Sequence, residues 1–139
     1  MPGLHKPGQP LVTGDSVEAL ESLFTEAGVW GALHAVDLQS GAEVSHHADA
    51  AVVTASVFKI PVLLELSRQH AEGELDASER VEVPLEDRAP GPFGLSVMHD
   101  PMTISRRDLA WLMMGISDNA ATDFLCAEVG LDKVRLTLD

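Results

Sequence analysis

Apolar residues recur along this chain at two spacings, and each spacing marks an element. Val17, Leu20, Phe24 and Ala27 share one face of a helix that Asp15 or Ser16 can cap and Gly28 stops. Val29 to Leu38 reads as a strand, Gln39-Ser40-Gly41 as a turn and Glu43 to His47 as the returning strand, which predicts a hairpin. The small apolar run Ala48 to Ala55 leads into SVFKIPVLLELSRQ, Ser56 to Gln69, which is apolar on most sides, as a buried helix would be. Pro61 sits near its beginning, where a missing N–H costs least, and Gly73 follows its end.

Leu75 to Pro92 carries turn signals and acidic residues, and reads as loop with one short extended piece at Arg80–Pro84; PGPFGLSVMHDP continues the loop. Ser105-Arg106-Arg107-Asp108 resembles a capping box with Asp in place of Glu, opening a helix with a core stripe of Leu109, Leu112, Met113 and Ile116. Ser117-Asp118-Asn119 breaks that period, Ala121 to Val129 resumes as a helix ended by Gly130, and Leu131 to Leu138 begins another. The expected class is α+β: a flexible Pro- and Gly-rich lead-in over 1–14, a partial α/β region over 15–55, and a mostly helical region over 56–139.

Composition narrows the functions available. Nine Lys and Arg against 22 Asp and Glu give a net charge of −13, which repels nucleic acid and anionic membrane surfaces, so neither is an expected partner. No apolar run approaches the ~18 residues of a spanning helix. The start has one Lys and no apolar signal core, so the chain as written is expected in the cytoplasm. A single cysteine, Cys126, excludes an internal disulfide and a cysteine-based zinc site, and the absence of tyrosine excludes a phenolate base.

The chemistry concentrates at Ser56-Val57-Phe58-Lys59. Residues i and i+3 are neighbours on a helix, so this hydroxyl and this amine can meet. Serine becomes a useful nucleophile only when a base takes its proton, and a lysine serves when burial or nearby positive charge favours its neutral form. Val57, Phe58, Ile60, Val62 and Leu63 supply apolar surroundings, and a helix N-terminus at Ser56 favours developing negative charge. The plain alternative makes Ser56 an N-cap and Lys59 a snorkelling surface residue. Ser117-Asp118-Asn119 has a plain reading too, as a helix break capped by Asp118 or Asn119.

The pair, in this order and about 60 residues apart, resembles the first two signatures of class A β-lactamases and related serine hydrolases. ASVFKIPVLLEL, GPFGLSVMHDP and RRDLAWLMMGISDNAATDFL are similar to that family's nucleophile helix and central helices, and the resemblance runs from about Ser16 to the C-terminus. It implies that Ser56 is the acylated nucleophile and its N–H one half of the oxyanion hole. It implies that Lys59 helps remove the serine proton and that Ser117 passes a proton to the leaving β-lactam nitrogen. Asn119 would hold Lys59 and, with Ser117, bind substrate, while Asp118 would be structural. No cofactor or metal is implied, and the substrate is a β-lactam or related amide.

The third signature, Lys-Thr-Gly, and the Ω-loop pattern Glu-x-x-x-Asn do not occur in this sequence. The expectation is therefore an N-terminal part of the fold, with little turnover alone. Its hairpin would keep an unpaired edge and an uncovered face, to be met by a complementing C-terminal half or by self-association. Family members are usually secreted or periplasmic. Two other readings stand beside the hydrolase: a non-catalytic interaction domain, and a Ser–Lys amidase or peptidase that is not a lactamase.

The remaining features read as structural. His34, His46 and His47 lie on the hairpin near Asp49, but partly exposed strand histidines are common. Successive strand residues face opposite ways, so His46 and His47 would not both bind a metal. Cys126 reads as a small buried filler, Met113 and Met114 as core, Met98 and Met102 as scattered, and Glu79 to Asp87 as a solvated face or loop.

Overall fold

A computed structural model describes residues 14–138, with the side chains of 14–16 excepted, so the expected lead-in lies outside the described residues. These fall into two compact units, 14–53 and 54–138. The class is α+β.

In the first unit, helix α1 (Gly14–Glu26) is followed by strands β1 (Leu33–Val36) and β2 (Glu43–His46). The strands pair antiparallel, with Leu33 opposite His46 and Val36 opposite Glu43. The hairpin is shorter than its apolar run because the turn is drawn in at Asp37. The Asp37 carboxylate accepts from Gln39 N (3.0 Å) and Ser40 Oγ (2.6 Å), and its backbone N–H donates to Ala42 O (2.8 Å). The Phe24 ring of α1 stacks on His46 at 5.3 Å, and His46 is the buried end of β2.

The histidine pair departs from the expected alternation. His47 follows the last residue of β2 with φ +49, a left-handed conformation that turns its ring back towards its neighbour. The two rings therefore lie 4.1 Å apart, with Trp30 stacked on His47 at 5.7 Å.

The second unit is built around α2 (Lys59–Ala71), which a 3-10 turn at Ala55–Phe58 precedes. The other helices are α3 (Arg106–Gly115), α4 (Asn119–Val129) and α5 (Leu131–Leu138), all in contact with α2 or α4. Ser105 caps α3 as the sequence predicts, its Oγ accepting from Asp108 N at 3.1 Å. The shorter Asp side chain closes on that same hydroxyl, which donates to Asp108 Oδ2 at 2.7 Å.

Two expectations are corrected here. The extended piece expected at Arg80–Pro84 is β3 (Arg80–Val83), with Val83 fully buried, and it pairs antiparallel with β4 (Met102–Ser105), a stretch to which the sequence pattern assigned no element. An apolar-polar alternation of only four residues is too short to separate from loop by pattern. Glu79 to Asp87 is accordingly part strand, with Arg106 reaching from α3 to the Glu79 and Glu128 carboxylates at 2.6 Å each.

The second correction concerns α2. Its buried face is Lys59, Val62, Glu65, Leu66 and Gln69, while Val57, Phe58, Ile60 and Leu64 are exposed in this unit. The helix is thus two-faced, with three of its polar side chains inward. Met114 is likewise exposed, whereas Met113 is core.

Buried polar groups need partners, and Glu65 has four donor contacts. Arg68 Nε and Nη2 reach it at 2.9 and 2.7 Å, Gln69 Nε2 at 2.6 Å, and Thr137 Oγ1 from α5 completes the set. The Arg68 bond holds the Glu65 carboxyl down at about 2, from an ordinary value of 4.5, against the opposing effect of burial; Thr137 and Gln69 add to the lowering. A depressed folded-state value means that this carboxylate stabilises the fold above pH 4.5, and that its contribution drains away as pH falls towards about 2. Glu65→Gln turns an amide N–H towards the Arg68 and Gln69 donors, and should lower stability by ~1–3 kcal/mol near neutral pH. Urea midpoints at pH 6 and pH 3 check this, with a smaller acid-induced drop expected in the variant.

Candidate active site

The 3-10 turn ahead of α2 sets Ser56 out where it is exposed, and the first residue of α2, Lys59, is buried at 3% exposure. Ala55, just before the serine, has φ +45, a strained conformation for a residue with a Cβ. The junction between α3 and α4 has the same feature. Ser117 has φ +59, which reverses the chain there and brings Asp118 N–H back to Leu112 O at 3.2 Å.

These two turns meet. Ser56 Oγ lies 2.9 Å from Ser117 Oγ. Lys59 Nζ donates to Ser117 Oγ at 2.7 Å, to Ser117 O at 2.8 Å and to Asn119 Oδ1 at 3.4 Å. The sequence spacing suggested a serine touching a lysine; the bonds instead run through the second serine, from hydroxyl to hydroxyl to amine. Such a chain can carry a proton from Ser56 to Lys59 in two short transfers.

Asp118 faces away from the lysine. Fully buried, it caps α4 by accepting from Ala121 N at 3.1 Å, and accepts from Leu95 N at 2.7 Å. Leu95 belongs to a 3-10 turn, Gly94–Val97, whose first residue has φ +69 and no room for a side chain: a Cβ on Gly94 would fall 2.0 Å from Asp118 Oδ2. Asn119 Nδ2 donates to Pro90 O at 3.2 Å in the same loop. Ala55, Gly94, Leu95 and Pro90 are the site residues that sequence reasoning missed. Only Gly94 left a readable signal, as a glycine inside GPFGLS.

The structure thus brings Ser56, Lys59, Ser117, Asp118 and Asn119 together. His34 pairs with Glu43 at 3.1 Å and His46 Nδ1 lies 3.7 Å from Glu21, all within the first unit. Among the described residues no group of three or more His, Cys, Asp or Glu side chains is arranged to hold a metal ion. Cys126 on α4 is partly buried against the core; burial pushes its thiol up, and the Asp123 charge adds to that.

Comparison with solved proteins places the fold among β-lactamases and penicillin-binding proteins. A β-lactamase from Sphaerobacter thermophilus shares 31% identity and a TM-score of 0.76, over 89% of this chain and 46% of that one. A PBP-A mutant, solved as an acyl-enzyme complex with penicillin G, has the same fold at 24% identity and a TM-score of 0.81, over 95% of this chain and 50% of that one. The β-lactamase regulatory protein BlaB of Streptomyces cacaoi is 34% identical over 107 residues, covering 76% of this chain and 34% of that protein. This chain therefore spans about a third of that curated relative and about half of those solved chains. The β-lactamase enzyme family pattern matches residues 15–139, and the chain belongs to that family.

Asp118→Asn replaces one acceptor oxygen of a buried carboxylate by a donor facing Leu95 N or Ala121 N. A loss of ~1–3 kcal/mol in unfolding free energy is expected. Urea denaturation followed by far-UV circular dichroism measures it.

Proposed function

We propose that this chain carries the acylating part of a β-lactamase-like serine hydrolase site, acting on a β-lactam or related cyclic amide. The observation that supports this most is the unbroken path Ser56 Oγ–Ser117 Oγ–Lys59 Nζ, with steps of 2.9 and 2.7 Å. In the proposed reaction Ser56 Oγ attacks the amide carbonyl carbon. Its proton passes to Ser117 Oγ as the Ser117 proton passes to the neutral Lys59 amine. The tetrahedral intermediate then collapses: the C–N bond breaks, the nitrogen takes a proton back from Lys59 by way of Ser117, and an acyl ester remains on Ser56. Asn119 steadies the Lys59 amine and offers its amide to the substrate.

The 34% identity to a β-lactamase regulatory protein favours a second outcome for the same chemistry, in which the ester on Ser56 persists instead of being hydrolysed. A Ser–Lys amidase or peptidase would use the same path on an open-chain amide. A non-catalytic interaction domain would use none of it.

Intact mass after incubation with penicillin G tests the reading. An adduct of the whole antibiotic is expected, mapping to Ser56, absent from Ser56→Ala, and formed ~100- to 10,000-fold more slowly in Lys59→Met. A long-lived adduct fits the persistent-ester outcome, and a transient one fits turnover. An unmodified Ser56 in the wild-type chain would sink both.

A further inference from the structure

The loop between β3 and β4 holds none of the residues to which the resemblance gives a role, yet it delivers Leu95 N to Asp118 and Pro90 O to Asn119. What holds this loop is Arg88. Its Nη1 donates to Leu95 O at 3.2 Å and Met98 O at 3.0 Å, and its Nη2 to Val83 O at 2.9 Å and Asp100 O at 2.8 Å. Glu86 and Asp87 are its near neighbours in sequence, but among the described residues no carboxylate pairs with it. Its Nε–H is buried without an acceptor. A half-buried guanidinium that gives its terminal N–H groups to four backbone carbonyls, with no carboxylate beside it, acts on the backbone around it.

We propose that Arg88 is a positioning residue for acylation of Ser56. Leu95 is the link: its carbonyl accepts from Arg88 and its own N–H donates to Asp118 Oδ2. Through that residue the guanidinium sets one anchor of the turn at 117–119, which carries Ser117 Oγ and Asn119 Oδ1, on which the Lys59 amine rests. The planar fork matters as much as the charge. Its two terminal nitrogens span carbonyls from the end of β3, the 3-10 turn and the approach to β4, and a lysine amine, a point donor, cannot reach all four. The effect on Ser56 rests on the reading of that residue as the nucleophile; the tether itself does not.

The test uses Arg88→Lys and Arg88→Ala in the same chain, with three readouts: amide hydrogen exchange at Leu95, exchange in the interiors of α2 and α4, and the rate of Ser56 acylation by penicillin G. In both variants the helix interiors should stay protected while Leu95 exchanges at least about tenfold faster. Acylation should slow about 100-fold, as a small misplacement of the reacting groups would cause. Millimolar guanidinium should restore part of the acylation in Arg88→Ala, which a general loss of stability would not allow. If Arg88→Ala loses helix protection altogether, Arg88→Lys makes the comparison alone. Unchanged Leu95 protection overturns the proposal, as does a wild-type acylation rate in a variant whose Leu95 has been released. If the wild-type chain is never acylated, the reading of Ser56 fails, and Leu95 exchange still decides whether Arg88 holds the loop.

Discussion

A buried lysine amine needs oxygen acceptors, and Lys59 finds them in one short segment. The three acceptors around its Nζ are the Ser117 carbonyl, the Ser117 hydroxyl and the Asn119 amide, all uncharged. The nearest carboxylate in sequence to those acceptors, Asp118, is spent on the backbone N–H groups of Leu95 and Ala121. The order Ser-Asp-Asn thus does two jobs by alternating direction. Residues 117 and 119 face the lysine, while 118 fastens the turn to α4 and to the β3–β4 loop. Much of the second unit serves to keep that alternation in register.

The polar interior of α2 follows from the same demand. A helix that must bring Lys59 to a helix junction also turns Glu65 and Gln69 inward two and three turns later, since all lie on one face. Those groups are satisfied by tying helices together: Gln69 donates to Val129 O at the end of α4, and Glu65 accepts from Thr137 on α5. Helix α5 is therefore anchored by polar bonds as well as by the buried Val134.

Much of this was legible in the sequence because it is local. The cap at Ser105, the stop at Gly28 and the break at Ser117-Asp118-Asn119 are decided by a few neighbouring residues, and the Ser56-x-x-Lys59 spacing follows from helix geometry. What was hidden depends on residues far apart in the chain. Strand β4 is a strand because β3 lies beside it, not because its four residues insist on it. The inward face of α2 could not be told from its outward one, since an apolar stripe runs along both. The two histidines fooled the strand rule because the strand had already ended at His46. The bridge from Ser56 to Lys59 was likewise invisible, because its middle member comes from 61 residues further on.

The left-handed residues show how the site is kept in shape. Ala55 and Ser117 each carry a conformation that costs roughly 1–2 kcal/mol in a residue with a Cβ, and the position just past a helix is one that glycine or asparagine usually takes. At 117 glycine would relieve the strain and remove the hydroxyl on which the path depends. Serine is the smallest side chain that keeps that hydroxyl, so the strain and the chemistry have the same origin. Strain of this kind persists only where the surroundings over-determine the turn. Here they do: Leu112 O holds the Asp118 N–H behind it, Leu95 N and Ala121 N hold the Asp118 carboxylate, and Lys59 holds the Ser117 carbonyl. Four anchors on two adjacent residues leave the Ser117 hydroxyl one place to be, between the other serine and the amine.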